Sequence, residues 1–423
     1  MRILSLTSAT EKKLLASRRS TSRDAERVAS CIVADVRRRG DAALFAWTRR
    51  LDGLALTPRN VWVSRAELAD ARRAVSREFL AAAAHAARNI RTVARRQKPL
   101  DWTFEVEPGV RVGQRVRPIE SVGCYLPGGR FSLVSTLLMT VIPAQVAGVR
   151  RIVVASPQPS PALLAVAEML GVTSLARVGG AQAIAALAYG TRSIPRVDKI
   201  FGPGNRFVTA AKRLVSADCA IDLLAGPTEA IVFAARGNAK FIAADLLAQS
   251  EHDPDAVSLF VTTSARLGRA VAAEIERQLA QLPKTNPAWR SLAKNGAVLI
   301  ARNLSAAASF VNLFAPEHLS LPAVAGLPEG GKSLLRRMDS AGSIFLEKWS
   351  AQTFGDYATG TNHVLPTGGV ARTRGGLSVS DFVKCMSVQK VTRAGFRRLA
   401  PVAREFARAE GLAAHKLSIE VRE

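Results

Sequence analysis

Residues 151–201 read RIVVASPQPSPALLAVAEMLGVTSLARVGGAQAIAALAYGTRSIPRVDKIF, and the alternation in this stretch decides the fold class. Three short apolar runs, 151–156 (RIVVAS), 174–178 (SLARV) and 199–201 (KIF), are separated by alanine- and leucine-rich stretches at 161–170 and 181–189. Short runs bounded by glycine or proline read as strands and the longer stretches as helices. Strand, helix, strand at this spacing predicts a parallel sheet, because parallel neighbours need a crossover connection. A further helix is expected over 135–147, ahead of the first strand.

The same alternation recurs downstream: 230–235 (AIVFAA), a helix over 240–249, 257–263 (VSLFVTT), a helix over 265–282, then 297–301 (AVLIA). We therefore expect two α/β units in tandem, although no sequence repeat marks a duplication. Upstream, 22–97 has a helical pattern with Val28, Ile32 and Val36 at helical spacing and a turn signal at Asp52-Gly53. Helix is expected again at 380–384 and 393–410, so the chain should end in a helical tail.

Composition narrows the function classes. A chain of 423 residues with 48% apolar content, Gly 30 and Pro 20 reads as a soluble globular protein of two to three domains. One of its richest apolar stretches, 137–149, is broken by Pro143 and Gly148, and none approaches membrane-spanning length. The excess of 59 Lys+Arg over 34 Asp+Glu gives a net charge of +25. Its dense spots, Arg37-Arg38-Arg39 and Arg95-Arg96, fall inside helical segments as solvated faces. Aromatics are only 6%, so no base-stacking surface accompanies them and no nucleic-acid partner is expected. The four cysteines, Cys31, Cys124, Cys219 and Cys385, form no CxxC pair, and the N-terminus lacks the apolar core of a secretory signal; both fit a reducing cytoplasm.

Histidine is rare, and four of the five follow residue 250: His252 in QSEHD, His318 in APEHL, His363 in TGTNHVLPTGG and His415 in EGLAAHKLS. Each alone reads as a histidine satisfied by its neighbours; as a set beside acids, amides and glycines they suggest one site. Gln249 and His252 are three apart at a helix end, on one expected face, and with Asp356 and His415 they offer a mixed nitrogen and oxygen shell that suits zinc and is open to manganese or cobalt as well. The ordinary alternatives are a turn acid at Asp356 and a helix-terminal histidine at His415. Glu317 and His318, side by side after Ala315-Pro316, can divide proton transfers; the alternative is a helix-start acid with a packed histidine. Three glycine-rich turns, at 125–130 (YLPGGR), 178–183 (VGGAQA) and 201–205 (FGPGN), could admit a phosphate, but none is G-x-G-x-x-G.

In order along the chain, RRRGDAAL, GCYLPGG, RVGGAQAIAALAYGT, VDKIFGPGN, AGPTE, DLLAQSEHD, FAPEHL, AGSIF, GDYATGTNHVLPTGG and EGLAAH resemble the histidinol dehydrogenase family over nearly the whole length. The resemblance implies a cytoplasmic homodimer that oxidises an amino alcohol to the acid through a bound aldehyde, with one zinc per subunit and NAD. It implies zinc ligands Gln249, His252, Asp356 and His415, with His318 as general base and Glu317 activating water. Thr228, His363 and Glu410 would join the ligands and His318 around the substrate, and Tyr125, Gln182 and Asn205 would line the NAD site. The implied fold is two tandem incomplete Rossmann-like parallel-sheet domains. One comprises 21–124 with 229–374 (substrate and metal), the other 125–228 (NAD); 1–20 precede them, and 375–423 form a tail swapped in the dimer, so that His415 completes the partner's site. Departures are Thr228 for the usual serine, DLLAGP without the usual proline, Phe207 for tyrosine, and Arg95-Arg96-Gln97 without the usual histidine and acid. These leave a paralogous dehydrogenase of a polyol or sulfonated diol as the alternative.

Overall fold

The computed structural model describes residues 1–18, 23–128, 133–323 and 332–423. Its strands, in chain order, are β1 (Arg2–Ser5), β2 (Trp102–Glu107), β3 (Val110–Pro118), β4 (Ser121–Tyr125), β5 (Arg151–Ala155), β6 (Leu175–Ala176), β7 (Lys199–Phe201), β8 (Ala220–Ile221), β9 (Glu229–Phe233), β10 (Val257–Thr262), β11 (Ala297–Ile300), β12 (His318–Leu321), β13 (Ser343–Leu346) and β14 (Val383–Val391). They form two parallel sheets, ordered β6-β5-β4-β7-β8 and β1-β11-β10-β9-β12-β13, and a three-stranded antiparallel sheet, β14-β3-β2. Counted from β4, the first sheet runs 3-2-1-4-5; counted from β9, the second runs 3-2-1-4-5 as well, with β1 added beside its third strand. That is the doubly wound Rossmann order without its sixth strand. The two tandem incomplete Rossmann-like units expected from 151–201 and 230–301 are present, and they share one strand order although no sequence repeat marks it.

Both parallel sheets are covered by helices, which is why their strands are continuous apolar runs rather than alternating ones. All five residues of β4 and all five of β9 are buried. The helix Arg23–Arg39 buries Ala25, Ala29, Ile32, Val33 and Val36. Val28, grouped with Ile32 and Val36 by spacing, is exposed instead and lines a cavity, because alanines supply the close-packed stripe one residue away.

The tail differs from expectation at one place. Helix was expected at 380–384, but a single 3-10 turn, Val379–Phe382, leads directly into β14. Val383 to Val391 then pair in antiparallel register with Pro118 to Val110. A β-branched segment that finds a long partner strand follows the ladder rather than a local helical pattern. The hairpin β2–β3 around Pro108-Gly109, and the strands β1, β4, β8, β12 and β13, were not foreseen. The helical ending itself is present, as Arg393–Ala409 and Ala413–Glu420.

The turn after β7 is fixed from below by a buried ion pair. Lys212, on the helix Arg206–Val215, pairs with Asp222; both side chains are almost wholly removed from solvent. Lys212 Nζ also donates to the Gly202 carbonyl at 3.0 Å, and Gly202 N–H donates to Asp222 Oδ2 at 2.7 Å. Gly202 has φ +116°, and a Cβ there would stand 2.0 Å from the Tyr125 carbonyl oxygen, so the position requires glycine. Breaking a buried pair from one side leaves an uncompensated charge, which costs about 3–5 kcal/mol. Lys212→Met is therefore expected to lose about that much stability in urea unfolding, and a loss below about 1 kcal/mol would show that water reaches Asp222.

Candidate active site

The site is built at the amino ends of the second parallel sheet. Helix Leu304–Phe314 ends at Ala315, which takes a left-handed conformation, φ +50°, unusual for a residue with a Cβ. Pro316 follows, and Glu317 and His318 then enter β12 as a strand, not as the helix start that a proline–acid pair also suggests. β12 lies between β9 and β13, with His318 in register with Ala230 on one side and Ser343 on the other. Glu317 is pinned twice: its carbonyl accepts from Ser343 N–H at 2.9 Å, and its Oε2 accepts from Glu229 N–H at 3.0 Å. Gly342 of AGSIF permits this approach, since a Cβ there would be 2.6 Å from the Glu317 carbonyl oxygen.

Both members of the acid–base pair are buried, with His318 Nδ1 3.7 Å from Glu317 Oε2 and Nε2 3.9 Å from Asp356 Oδ1. These distances are too long for hydrogen bonds, and Nδ1 has no partner. The ring lies nearly parallel to Phe345, centroids 6.0 Å apart. Burial pushes the His318 pKa down to about 4, against the opposing pull of Asp356, so the imidazole is neutral at physiological pH and free to take a proton. Burial likewise drives the Glu317 carboxyl well above its usual value, reinforced by the charges of Glu229 and Asp356.

The residues proposed as ligands divide. The helix Ala239–Ser250 stops before His252, with Glu251 as its cap, so Gln249 and His252 do not share a helical face as their spacing suggested. Gln249 is buried and His252 exposed. Gln249 Nε2 points toward Asp356 Oδ2 at 3.5 Å, which leaves its Oε1 buried with no partner. A buried amide oxygen beside a buried carboxylate fits a cation. Asp356 lies in the short helix Gln352–Tyr357 and its carbonyl accepts from His363 Nδ1 at 3.0 Å. A carbonyl only accepts, so Nδ1 carries the ring proton and Nε2 accepts from the Thr136 hydroxyl at 3.1 Å. Glu410 and His415 are exposed in the tail, and no hydrogen bond or ion pair among the described residues joins them to Gln249, His252 or Asp356. Among the described residues no three His, Cys, Asp or Glu converge as a complete metal centre within one chain.

Thr228 lies immediately before β9, half-buried, with its carbonyl accepting from Val257 N–H at 2.9 Å. Spacing did not reveal what lies behind Glu229: Arg18 grips both of its carboxylate oxygens, stacks on Phe314 at 3.8 Å and donates to the Phe314 carbonyl. Nothing near Arg18 in the sequence signals this role. Asp245 also went unnoticed; it accepts from the Gln352 backbone N–H at the start of the helix bearing Asp356, and burial raises its pKa to about 6.

Tyr125, Gln182 and Asn205 meet at the carboxyl ends of the first sheet, where β4 and β7 diverge, the position at which doubly wound sheets bind ligands. All three line one cavity of about 390 Å³. The Tyr125 hydroxyl accepts from Gly180 N–H at 3.2 Å, and Asn205 caps the helix Arg206–Val215. A second cavity, about 400 Å³, continues past Asn205 and Phe207 to Pro227 and Asp253, which flank Thr228 and His252 in sequence. Gly129 and Arg130 of the first glycine-rich turn lie outside the described residues. At the corresponding place in the second sheet the described residues, Phe233, Leu304, Leu321 and Leu334 among them, leave a cavity of only about 10 Å³.

An open switch-point crevice on one Rossmann-like unit and a buried Glu–His pair on the other give the chain the architecture of an α/β enzyme. The family profile of histidinol dehydrogenase matches residues 15–423. A histidinol dehydrogenase of Geobacillus kaustophilus is 47% identical over 92% of both chains, and one of Methanosarcina mazei is 43% identical over 99% of this chain and 96% of the other. The crystal structure of histidinol dehydrogenase from Elizabethkingia anophelis superposes with a TM-score of 0.93 at 37% identity, covering 100% of this chain and 98% of that one. The chain belongs to the histidinol dehydrogenase family.

The electrostatics yield a direct check. In metal-free protein the His318 ring, followed by NMR with histidine-labelled protein, is expected to titrate near pH 4; a midpoint near 6.5 would mean that the pocket is open to water.

Proposed function

We propose that this enzyme oxidises L-histidinol to L-histidine in two NAD-dependent steps, with zinc bound by Gln249, His252, Asp356 and, from a second copy of the chain, His415. The reading is carried above all by the buried Glu317–His318 pair beside the unpartnered Gln249 amide oxygen and Asp356. When bound, zinc supplies a template for the substrate's nitrogens, and NAD accepts the two hydrides. The chain's own groups do the proton work. His318, neutral because it is buried, takes the hydroxyl proton as each C–H bond is broken. Glu317, held by the Glu229 N–H, activates the water that adds to the aldehyde, a role that needs its carboxylate. Thr228, His363 and Glu410 contact the substrate in this reading; His363 does so by giving up its Nε2 bond to Thr136. Tyr125, Gln182 and Asn205 line the dinucleotide groove.

The working unit in this proposal is a cytoplasmic homodimer, with 125–228 carrying the cofactor, 229–374 the substrate and metal, and 375–423 crossing to the partner; 21–124, grouped with the substrate unit by resemblance, instead gives β4 and the helices Arg23–Arg39 and Asp41–Asp52 to the cofactor unit. Exposed apolar side chains support it: Trp102, Phe104 and Val388 on the antiparallel sheet, Phe406 and Leu417 on the tail. A monomer rarely leaves so much apolar surface uncovered. A cavity of about 930 Å³ beside His252, walled by Phe79, Leu133 and Leu138, offers a seat for such a tail. No described helix is long and apolar enough to cross a membrane.

Two outcomes test the proposal. Purified protein supplied with L-histidinol is expected to form histidine with two NADH per turnover, and His252→Asn to lose zinc and activity together; full zinc retention would remove His252 from the shell. Mixing Glu317→Gln with His415→Ala is expected to restore part of the activity, since one of the two sites in a heterodimer is then intact. Confirmed heterodimers without recovery would exclude a shared site.

A further inference from the structure

The cavity behind Asn205 holds a carboxylate that the chemistry at Glu317 and His318 does not use. Asp52 ends the helix Asp41–Asp52, just before Gly53 turns left-handed at φ +70°. Its Oδ2 accepts from Gln182 Nε2 at 3.0 Å, and its backbone carbonyl accepts from Gln158 Nε2 at 3.1 Å. Although bases outnumber acids 59 to 34 in the chain, no Lys or Arg among the described residues pairs with Asp52. Burial raises its pKa, with only the Gln182 hydrogen bond opposing.

The Gln182 amide has no choice of orientation. A carboxylate only accepts, so the amide must turn its NH₂ to Asp52, and its Oε1 is left over. Gln182 is fully buried and Oε1 has no partner. Because Gln182 itself has no accessible surface, the acceptor that the cavity presents is the half-buried Asp52 carboxylate, steered by that amide, with Val28, Ile32 and Leu51 as an apolar wall beside it. A carboxylate removed from water with no cation beside it is costly unless a ligand supplies donors. Two vicinal hydroxyls beside a flat apolar group match the arrangement.

We infer that Asp52, oriented by Gln182, holds the adenosine ribose of the dinucleotide through its 2′- and 3′-hydroxyls and excludes a 2′-phosphate, making Asp52 the residue that selects NAD over NADP. The inference rests on the NAD reading above. The linked cavities fix the direction: the Pro227 and Asp253 end adjoins the reaction site, so a nicotinamide placed there leaves adenosine at the Asp52 end. A 2′-phosphate has little donor capacity near neutral pH and brings up to two negative charges against a carboxylate. In the usual doubly wound site the ribose-binding acid follows the second strand of the sheet. Here it comes from a helix outside the sheet, which explains why no fingerprint spacing announces it.

The test is direct binding without substrate. Dissociation constants for NADH and NADPH, read from nucleotide fluorescence, are expected to differ at least tenfold in favour of NADH in the native chain. Asp52→Asn and Asp52→Ala, shown folded by their melting curves, are expected to narrow that ratio about tenfold, a change of about 1.4 kcal/mol in discrimination. Competition against NADH in the unmutated chain requires no variant: 5′-AMP is expected to displace it better than 2′-deoxy-5′-AMP and much better than adenosine 2′,5′-bisphosphate. If the native chain binds neither NADH nor NADPH, the NAD reading itself fails. If it binds NADH but competes equally with all three nucleotides, or folded Asp52 variants keep the native ratio, the NAD reading stands and the role of Asp52 is overturned.

Discussion

The register of β12 on β9 is the constraint on which the reaction centre depends. His318 lies opposite Ala230, which sets Glu317 beside Glu229 and lets the Glu229 N–H reach the Glu317 carboxylate at 3.0 Å. Because side chains alternate along a strand, a slip of one residue would send the His318 ring to the other face of the sheet. Several neighbours guard against it: Gly342 lets β13 close on the Glu317 carbonyl, Ala315 turns the chain sharply out of its helix, and Phe345 lies against the imidazole. The pair is adjacent in sequence, yet its chemistry comes from the strand that carries it.

The strand order also explains how two similar units carry different work. Both have a switch point where the first and fourth strands part. In the first unit that crevice is open and glycine-rich, and Lys212 and Asp222 hold its turn from beneath. In the second unit, described leucine and phenylalanine side chains line the same place, and the buried Glu317, His318 and Asp356 gather at the opposite, amino ends of the strands. Among the described residues the open crevice is thus the first unit's, and it runs toward the second unit's amino ends through Asn205, Phe207 and Pro227.

Much of this was legible in the sequence, for identifiable reasons. The runs at 151–156, 199–201, 230–235 and 257–263 are buried on both faces of their sheets, and such strands read as unbroken apolar stretches. β12 and β13 did not register, because at four residues each they carry no periodicity, and β14 was taken in part for helix because its long pairing partner is remote in sequence. Among site residues, Glu317, His318, Gln249 and Asp356 do come together. Arg18 and Asp52 escaped notice because their partners, Glu229 and Gln182, are more than a hundred residues away and neither sits in a motif with an obvious chemistry. Glu410 and His415 stand apart within one chain, as they must if a tail serves its neighbour.

Charge balance around Glu317 bears on the proposal of a cation there. Three carboxylates, Glu229, Glu317 and Asp356, are buried within each other's influence. Arg18 neutralises one of them by gripping both of its oxygens. Among the described residues the other two face only neutral donors and the neutral imidazole of His318, which do not offset the cost of burying two charges. Protonating Glu317 relieves that cost in the free chain, which is the sense of its raised pKa, but it would also remove the carboxylate that the proposed water activation needs. In the proposed reaction a divalent cation at Gln249 and Asp356 would relieve it differently: it would neutralise Asp356, lower the proton affinity of Glu317 through space, and leave that carboxylate ionised. On this argument, metal binding and the readiness of Glu317 are one linked equilibrium, and the excess basic charge of the chain, dispersed over its surface, is no substitute for a charge held at the centre.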